Sequence, residues 1–320
     1  MDVSKFKDII KSYRTKMIPR AEVLVDLVML ESPYYEKDSS FFLENADEVL
    51  YYLRNGSWNK YLALEKELDK VLMSILIKED PSIMKYFSEK GDEAVVTVEN
   101  VQDIIANFLN HHGGHLFELS KSHTNSRRSR AGNEFEFIIE TILLRCGIMF
   151  DNQGVIGSKL FNTERLGKLV DFVIPGVSEY NIERRKCALI SMKTTLRERW
   201  QEVPEEMKRT GAQEMFLLTL DDKISSNTIE SLASHNITLV VPDDLKAAKY
   251  GTYRSVYGLT KLLRELKELS QHWLDQDDLG QEFYNEKVKS LNERLKKVET
   301  DYERDVLNSL KEYFMLKLND

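Results

Sequence analysis

Three charged residues occur where their chemistry could bind a metal ion and hydrolyse a phosphodiester. Asp171 interrupts the apolar run 169–174, Lys193 follows the apolar run 187–192, and Glu206 comes thirteen residues after that lysine. A carboxylate on a buried strand is costly unless it is paired or binds a cation, and Mg²⁺ prefers oxygen ligands. We therefore predict Asp171 and Glu206 as ligands of Mg²⁺, with Lys193 beside the attacking water.

The pair of Asp171 and Lys193 also has a simpler explanation. Side chains alternate between the two faces of a strand, so two neighbouring strands would bring this acid and this lysine to matching ends. A buried ion pair without catalytic function would satisfy the same pattern. Glu205 would replace Glu206 as the ligand if the helix were rotated, because neighbouring residues differ by about 100° around a helix axis.

The sequence around these residues predicts alternating strands and helices, which would form a mixed α/β core. Strands are expected at 169–174, 187–192, 215–220 and 237–241, and helices at 134–144, 196–209, 228–234 and from Pro242 onward. Gly147 is expected to cap the helix 134–144. Such an alternation of strands and helices is typical of a mixed central sheet flanked by helices.

Helical segments are predicted on both sides of this core. The N-terminal part has apolar residues at helical spacing, with breaks expected at Pro33, near Asn55 and at Pro81. The C-terminal part is long, charged and free of proline, as amphipathic helices are. The predicted organisation is a helical region at 1–118, a catalytic core at 119–255 and a helical extension at 256–320.

The composition excludes several classes of protein. Hydrophobic residues make up 42% of the 320 residues, which is enough for a buried core. No apolar run reaches the ~20 residues needed to cross a bilayer, and the N-terminus has no apolar signal segment. Two cysteines are too few for a disulfide framework or a zinc site. We therefore expect a reduced, cytoplasmic protein without membrane contact.

Positive charge is concentrated in the middle of the chain, although the net charge is −8. The polar segment 111–130 is interpreted as a loop or a domain boundary. It begins with three histidines (His111, His112 and His115) that no cysteine or acid cluster accompanies, so a zinc site is not expected. Four basic residues without a neighbouring acid are candidate phosphate contacts: Lys121, Arg127, Arg128 and Arg130.

The spacing of the predicted metal site resembles the PD-(D/E)XK nuclease motif. Asp171, Ser191-x-Lys193 and Glu206 are similar to the variant in which the second acid has moved from a strand to a helix. That variant occurs in restriction endonucleases of the SsoII, EcoRII and NgoMIV group. Val170 stands where the general motif has a proline, and Ile190 or Ser191 where it has the second acid, as expected for the variant.

Two further segments strengthen this resemblance. The segment 130–136, Arg-Ala-Gly-Asn-Glu-Phe-Glu, resembles the Arg-Ala-Gly-x-x-x-Glu segment of the group and implies that Glu136 is the helix-borne acid near the metal, the fourth catalytic residue. The triplet Arg197-Glu198-Arg199 resembles the one with which relatives recognise a CCGG core. Arginine suits guanine O6 and N7, and glutamate accepts from cytosine N4. A solvated helix face is the alternative interpretation of this triplet.

A weaker resemblance involves Arg54 and Trp58, near the predicted turn at Asn55. Members of the group that cut around CCNGG extrude the central base and stack it on a tryptophan. A tryptophan is a good platform for an unstacked base. A tryptophan packed in the core, at the start of a helix, is the alternative.

The resemblance as a whole implies a type II restriction endonuclease with the corresponding fold. The protein would hydrolyse double-stranded DNA with Mg²⁺ at a palindromic site with a CCNGG or CCGG core. It would act as a homodimer, because two-fold proteins mirror two-fold sites, and would share its site with a cognate methyltransferase. The flanking bases, the cut position and the pairing of dimers into tetramers stay open. A structure-selective repair nuclease of the same fold and a non-catalytic DNA-binding protein are the alternatives.

Overall fold

The computed structural model describes residues 1–84, 98–152, 170–201, 203–205, 207, 214–276, 279–298 and 300–319, without the side chains of Glu198, Arg199 and Asn319. Its contacts divide the chain into two units. The first unit comprises Met1–Leu24 and Asn55–Asn133, and the second comprises Val25–Arg54 and Glu134–Asp320. The division at residues 118 and 255 expected from the sequence is a different partition and stays a prediction.

The second unit is built around a mixed sheet. Among the described residues, its six strands follow chain order: β1 (Asp151–Asn152), β2 (Phe172–Ile174), β3 (Ala188–Lys193), β4 (Met215–Thr219), β5 (Ile237–Val241) and β6 (Val256–Gly258). The first three strands pair antiparallel, and β3 to β6 are parallel. The parallel strands β3, β4 and β5 are almost entirely buried, as strands covered on both faces are.

Helices make up most of the remaining described chain. They are α1 (Val3–Met17), α2 (Ala21–Leu30), α3 (Ser39–Glu44), α4 (Ala46–Glu79), α5 (Val98–Arg145), α6 (Val177–Ile182), α7 (Ser226–Ser234), α8 (Asp243–Lys249), α9 (Leu259–Leu274), α10 (Gln281–Leu295) and α11 (Asp301–Asn319). Helices α7 and α8 connect the parallel strands β4, β5 and β6. Short 3₁₀ helices occupy Arg184–Lys186 and Arg197–Gln201. No helix among the described residues combines the length and apolarity that a membrane span requires.

Each unit has its own buried core. In the first unit, Phe6 of α1 packs with leucines of α4 and with Leu119 of α5. In the second unit, two apolar clusters share the strands of the sheet. Ile190 and Met192 of β3 belong to one cluster, whereas Leu189 belongs to the other. This alternation is the one expected of a strand with two covered faces.

Helix α4 continues through Asn55 and Gly56, where the sequence predicted a break. That prediction was wrong. A glycine in a helix interior costs only about 1 kcal/mol relative to alanine. Leu53, Ser57 and Tyr61 are all buried along this stretch, so packing outweighs the cost of the glycine.

Helix α5 includes the polar segment 111–130, which we expected to be a loop or a boundary. Some polar side chains of this segment pair inside the first unit, whereas others face water. His123 Nδ1 lies 2.8 Å from Glu65 Oε1, and Arg127 Nε donates to Glu65 Oε2 at 2.7 Å. Glu65 is only 1% exposed. A buried acid on α4 therefore accounts for a polar run that looks like a loop in the sequence.

The predicted strands at 187–192, 215–220 and 237–241 agree with β3, β4 and β5 to within one residue at each end. The helix 134–144 is the end of α5, and Gly147 follows it with φ of +65°. The expected helix 196–209 is confirmed in part, since Arg197–Gln201 is a 3₁₀ helix and residues 203–205 and 207 are α-helical. Residues 202, 206, 208 and 209 of that prediction lie outside the described residues. Strands β1 and β6 were missed because runs of two or three residues carry no periodicity.

A buried ion pair fixes α10 against α6, the short helix that follows β2. Lys287 Nζ lies 2.7 Å and 2.8 Å from the two carboxylate oxygens of Glu179, and both side chains are almost fully buried. Gly176 leaves the necessary space, because a Cβ at that position would lie 2.5 Å from Lys287 Nζ. Asp151 of β1 accepts from the N–H of Val177 at 2.8 Å beside this pair. The C-terminal helices are therefore part of the structure that holds β1 and β2.

We predict that Lys287→Met lowers the free energy of unfolding of the second unit by about 3–5 kcal/mol, because it leaves the Glu179 carboxylate buried without a counter-charge. The double variant Glu179→Gln/Lys287→Met should recover part of this loss. Urea denaturation at pH 7 measures both effects. Lys289→Met, on the exposed side of the same helix, is the matched control. Equal stability of Lys287→Met and Lys289→Met would contradict the prediction.

Candidate active site

Asp171 immediately precedes β2 and is held against β3 by two hydrogen bonds. Its N–H donates to the carbonyl of Ile190 at 2.8 Å, and its carboxylate accepts from the N–H of Met192 at 2.5 Å. The antiparallel pairing of Phe172 with Ile190 continues this register. The acid is therefore fixed beside the last residues of β3, the strand that ends at Lys193.

Lys193 presents its ammonium group at the end of β3. Its Nζ lies 3.4 Å from Oγ of Ser191, which is fully buried. Met192, between them in sequence, packs in the apolar core on the other side of the strand. Ser191, one of the two residues expected at the position of the second acid of the motif, therefore contacts the lysine.

Burial controls the protonation of the two acids at this site. Burial raises the pKa of Asp171 to about 6, against the opposing effects of Lys193 and of the Met192 N–H. Burial, together with the charge of Asp171 and against the opposing charge of Lys193, raises the pKa of Glu136 to about 7. The structure therefore brings Glu136 of α5 into one electrostatic site with Asp171 and Lys193. A further positive charge would stabilise both carboxylates.

The donor set of this site fits a hard divalent cation. Carboxylate oxygens are the ligands that Mg²⁺ prefers, and the ion keeps water on its other positions. Glu206, predicted as the second ligand, lies outside the described residues. The described ranges contain no group of three or more His, Cys, Asp or Glu arranged to hold a metal. Asp171 and Glu136 are thus two of the acids that could hold the ion, and Glu206 stays a prediction.

A buried network, which sequence analysis missed, lies one helical turn beyond Glu136. Glu140 Oε2 accepts from Asn152 Nδ2 at 2.9 Å, and Glu140 Oε1 lies 3.4 Å from Arg294 Nη2. Arg294 also donates to the carbonyl of Phe150 at 2.7 Å. The spacing of four residues between Glu136 and Glu140 was visible in the sequence. Nothing in the charged C-terminal segment marks Arg294 as the arginine that is buried.

The predicted base-recognition triplet begins four residues after Lys193. Arg197 is exposed and has φ of +40°, and it opens the 3₁₀ helix Arg197–Gln201. The backbone of Glu198 and Arg199 continues this helix, and their side chains lie outside the description. Leu196, just before the triplet, is buried and donates its N–H to Asp221 Oδ2 at 2.9 Å. The backbone just before the triplet is therefore held by a buried side chain and by a hydrogen bond to Asp221.

Arg54 and Trp58 both lie within the continuous helix α4, so the turn expected beside them does not exist. Arg54, in the second unit, is half-buried, and burial lowers the pKa of its guanidinium group against the opposing charge of Glu134. Trp58, in the first unit, is half-buried with its ring 5.4 Å from that of Tyr61. Their expected contact with an extruded base stays a prediction.

The four candidate phosphate contacts differ in their surroundings within the first unit. Lys121 and Arg128 are exposed on α5, whereas Arg127 is paired with Glu65. Arg130 is buried, donates to the carbonyl of Pro19 at 2.6 Å and lies over a tyrosine ring. The expectation of phosphate contact stays a prediction, and it is better supported for the two exposed residues.

The histidines of α5 lie around a buried acid and not in a loop. His112 Nε2 is 3.1 Å and His111 Nδ1 is 3.4 Å from Asp80 Oδ2. Asp80 also accepts from the backbone N–H groups of Ser82 and Ile83 at 2.9 Å. These contacts give the histidines a structural role at the end of α4.

Comparison with known proteins identifies the family. The family model described as EcoRII C terminal matches residues 94–261, a range that contains Glu136, Asp171 and Lys193. The chain belongs to this family of type II restriction endonucleases. It is therefore a site-specific nuclease that cleaves DNA, and the family expected from its motifs is confirmed.

Two relatives show how far the sequence similarity extends. The type II restriction enzyme SsoII of Shigella sonnei is 38% identical over 269 residues, which cover 84% of this chain and 84% of that enzyme. The type II restriction enzyme EcoRII of Escherichia coli is 25% identical over 131 residues, which cover 40% of this chain and 30% of that enzyme. The similarity to the first of these extends well beyond the catalytic core.

Solved structures confirm the predicted fold class. The structure of metal-depleted Ecl18kI in complex with uncleaved, modified DNA matches with a TM-score of 0.85 and 34% identity, over 100% of both chains. The complex of the restriction endonuclease PspGI with substrate DNA matches with a TM-score of 0.56 and 16% identity, over 81% of this chain and 95% of that one. This second match supports the fold alone.

The raised pKa values predict how pH acts on the metal-free protein. A carboxyl group whose pKa is higher in the folded than in the unfolded state stabilises the fold at low pH, and this contribution is lost as pH rises through the folded pKa. The free energy of unfolding of the wild type, relative to that of Asp171→Asn/Glu136→Gln, should therefore fall between about pH 4 and about pH 7. Urea denaturation in a chelator measures this difference. A difference that does not change with pH would contradict the assignment.

Proposed function

We propose that this restriction endonuclease is Mg²⁺-dependent and hydrolyses both strands of a palindromic site with a CCNGG or CCGG core. One observation carries the proposal: Asp171, Lys193 and Glu136 are half-buried and interact electrostatically with one another at the ends of β2 and β3. Arg197, exposed four residues after Lys193, supports coupling of this site to base recognition. Both features lie in the second unit.

The residues of the site have distinct parts in the reaction. Asp171 and Glu136 would hold the cation, together with Glu206, and a bound Mg²⁺ supplies Lewis acidity toward the scissile phosphate. Lys193 orients the attacking water and offsets negative charge that develops on the phosphate oxygens. A bond from the water oxygen to phosphorus forms, and the bond to the leaving oxygen breaks with inversion at phosphorus.

Base recognition would follow from the triplet Arg197-Glu198-Arg199. A guanidinium group can donate two hydrogen bonds to guanine O6 and N7, and a carboxylate can accept from cytosine N4. One triplet can therefore recognise two adjacent G·C base pairs. A homodimer would place two triplets on the two halves of a palindrome. A cognate methyltransferase would protect the same site.

The catalytic assignment predicts that Asp171→Asn and Lys193→Ala each lower the rate of plasmid cleavage by at least about 10³-fold, since each removes several kcal/mol of transition-state stabilisation. DNA binding in Ca²⁺, measured by gel mobility shift, should persist. Glu206→Gln should lose activity and Glu205→Gln, its exposed neighbour, should not. Plasmid cleavage by Asp171→Asn at the wild-type rate would contradict the assignment of Asp171 to the catalytic site.

The recognition assignment predicts that sequencing of cleaved ends finds one palindrome with a CCNGG or CCGG core. Arg197→Ala should lower kcat/KM on that site about 10- to 100-fold, the value of a bidentate contact to guanine. The same variant should relax discrimination at the guanine it contacts. Lys223→Ala, an exposed cation of the second unit, is the control. Cleavage at junctions or lesions irrespective of sequence would favour a repair nuclease instead.

A further inference from the structure

The chain turns sharply between the catalytic lysine and the recognition triplet. Arg197 has φ of +40°, in the left-handed region that residues other than glycine rarely adopt. Such a backbone conformation persists only where the surrounding structure holds it. The first residue of the triplet is therefore at a strained position whose support must come from its neighbours.

One support is the Leu196 side chain, which is 2% exposed and packs in the apolar core of the second unit. The other is Asp221, in the loop after β4. Asp221 Oδ2 accepts from the N–H of Leu196 at 2.9 Å, and its Oδ1 accepts from the N–H of Lys223 at 3.0 Å. A single carboxylate thus joins the backbone just before Arg197 to the backbone of a second loop.

The position of Asp221 is itself fixed by the sheet. Its N–H donates to Oγ1 of Thr219 at 3.1 Å, and Thr219 is fully buried at the end of β4. Thr219 is the partner of Lys193 in the parallel register of β3 and β4. The turn before the triplet and the catalytic lysine are therefore both fixed by the paired ends of β3 and β4.

We propose that Asp221 is a positioning residue for base recognition, which fixes the Leu196–Arg197 turn so that the triplet meets the base edges as a unit. The proposal rests on the proposed function of the triplet. A hydrogen bond from a backbone N–H to a carboxylate is charge-assisted and short, so it constrains geometry strongly. Loss of this hydrogen bond would weaken the contacts between the triplet and the bases of the preferred site. A site with one substituted base pair already lacks some of these contacts, so its cleavage would be slowed less.

The test compares Asp221→Ala and Asp221→Asn with Asp222→Ala. Asp222 is the adjacent exposed acid, and it pairs with Lys249 at 2.8 Å. The substrates are a duplex with the site that the wild type is found to prefer, and duplexes with one base pair substituted. Asp221→Ala should lower kcat/KM on the preferred duplex about 10- to 100-fold and on the substituted duplexes less. Asp221→Asn keeps one acceptor oxygen and should be intermediate, and Asp222→Ala should match the wild type.

The ratio of kcat/KM on the preferred duplex to kcat/KM on the substituted duplexes distinguishes a positioning role of Asp221 from a merely structural one. Equal losses on all duplexes, or a lower melting temperature with unchanged discrimination in Asp221→Asn, would overturn the proposal. The variant Arg197→Ala distinguishes failure of the role of Asp221 from failure of base recognition by the triplet. If Arg197→Ala relaxes discrimination and Asp221→Ala does not, only the role of Asp221 fails. If Arg197→Ala leaves discrimination unchanged, recognition by the triplet fails and the role of Asp221 fails with it.

Discussion

Two half-buried acids beside one lysine are the constraint on which the rest of this structure depends. Asp171 and Glu136 come from different elements, and burial raises the pKa of both. Their negative charges disfavour each other in a low-dielectric site, so the fold must hold them together against that cost. A restriction endonuclease has a reason to keep such a site. The same arrangement that is costly without a cation would bind one firmly and bring it to the phosphate.

The two halves of the sheet contribute differently to this arrangement. The antiparallel half, β1 to β3, holds Asp171 through the hydrogen bonds of β3, and the parallel half aligns the ends of β3 and β4. Helix α10 of the C-terminal part contacts the segments that flank the antiparallel half. Lys287 pairs with Glu179 after β2, and Arg294 joins Glu140 of α5 to the chain at Phe150. The C-terminal helices therefore belong to the same unit as the sheet.

Much of this arrangement could be predicted from residue types and spacing. Strands of five or six mostly apolar residues, such as β5 and β3, can be recognised in the sequence, and so can an acid within an apolar run. Helix α5 could not be predicted through 111–130, because the segment is polar and two of its side chains, His123 and Arg127, pair with the buried Glu65, far away in the sequence. Arg294 and Asp221 could not be identified either. Their roles consist of contacts between distant segments, and no local pattern distinguishes them from solvated charges.

The most direct test of the account is a crystal structure of the protein with its preferred duplex and Mn²⁺, with anomalous scattering used to locate the metal. The account predicts a peak at about 2.1 Å from a carboxylate oxygen of Asp171, the range for a small divalent ion. Glu136 or Glu206 should lie close by, Lys193 should face the scissile phosphate, and Arg197 should contact a guanine edge. A metal bound elsewhere, or a phosphate remote from Asp171 and Lys193, would contradict it.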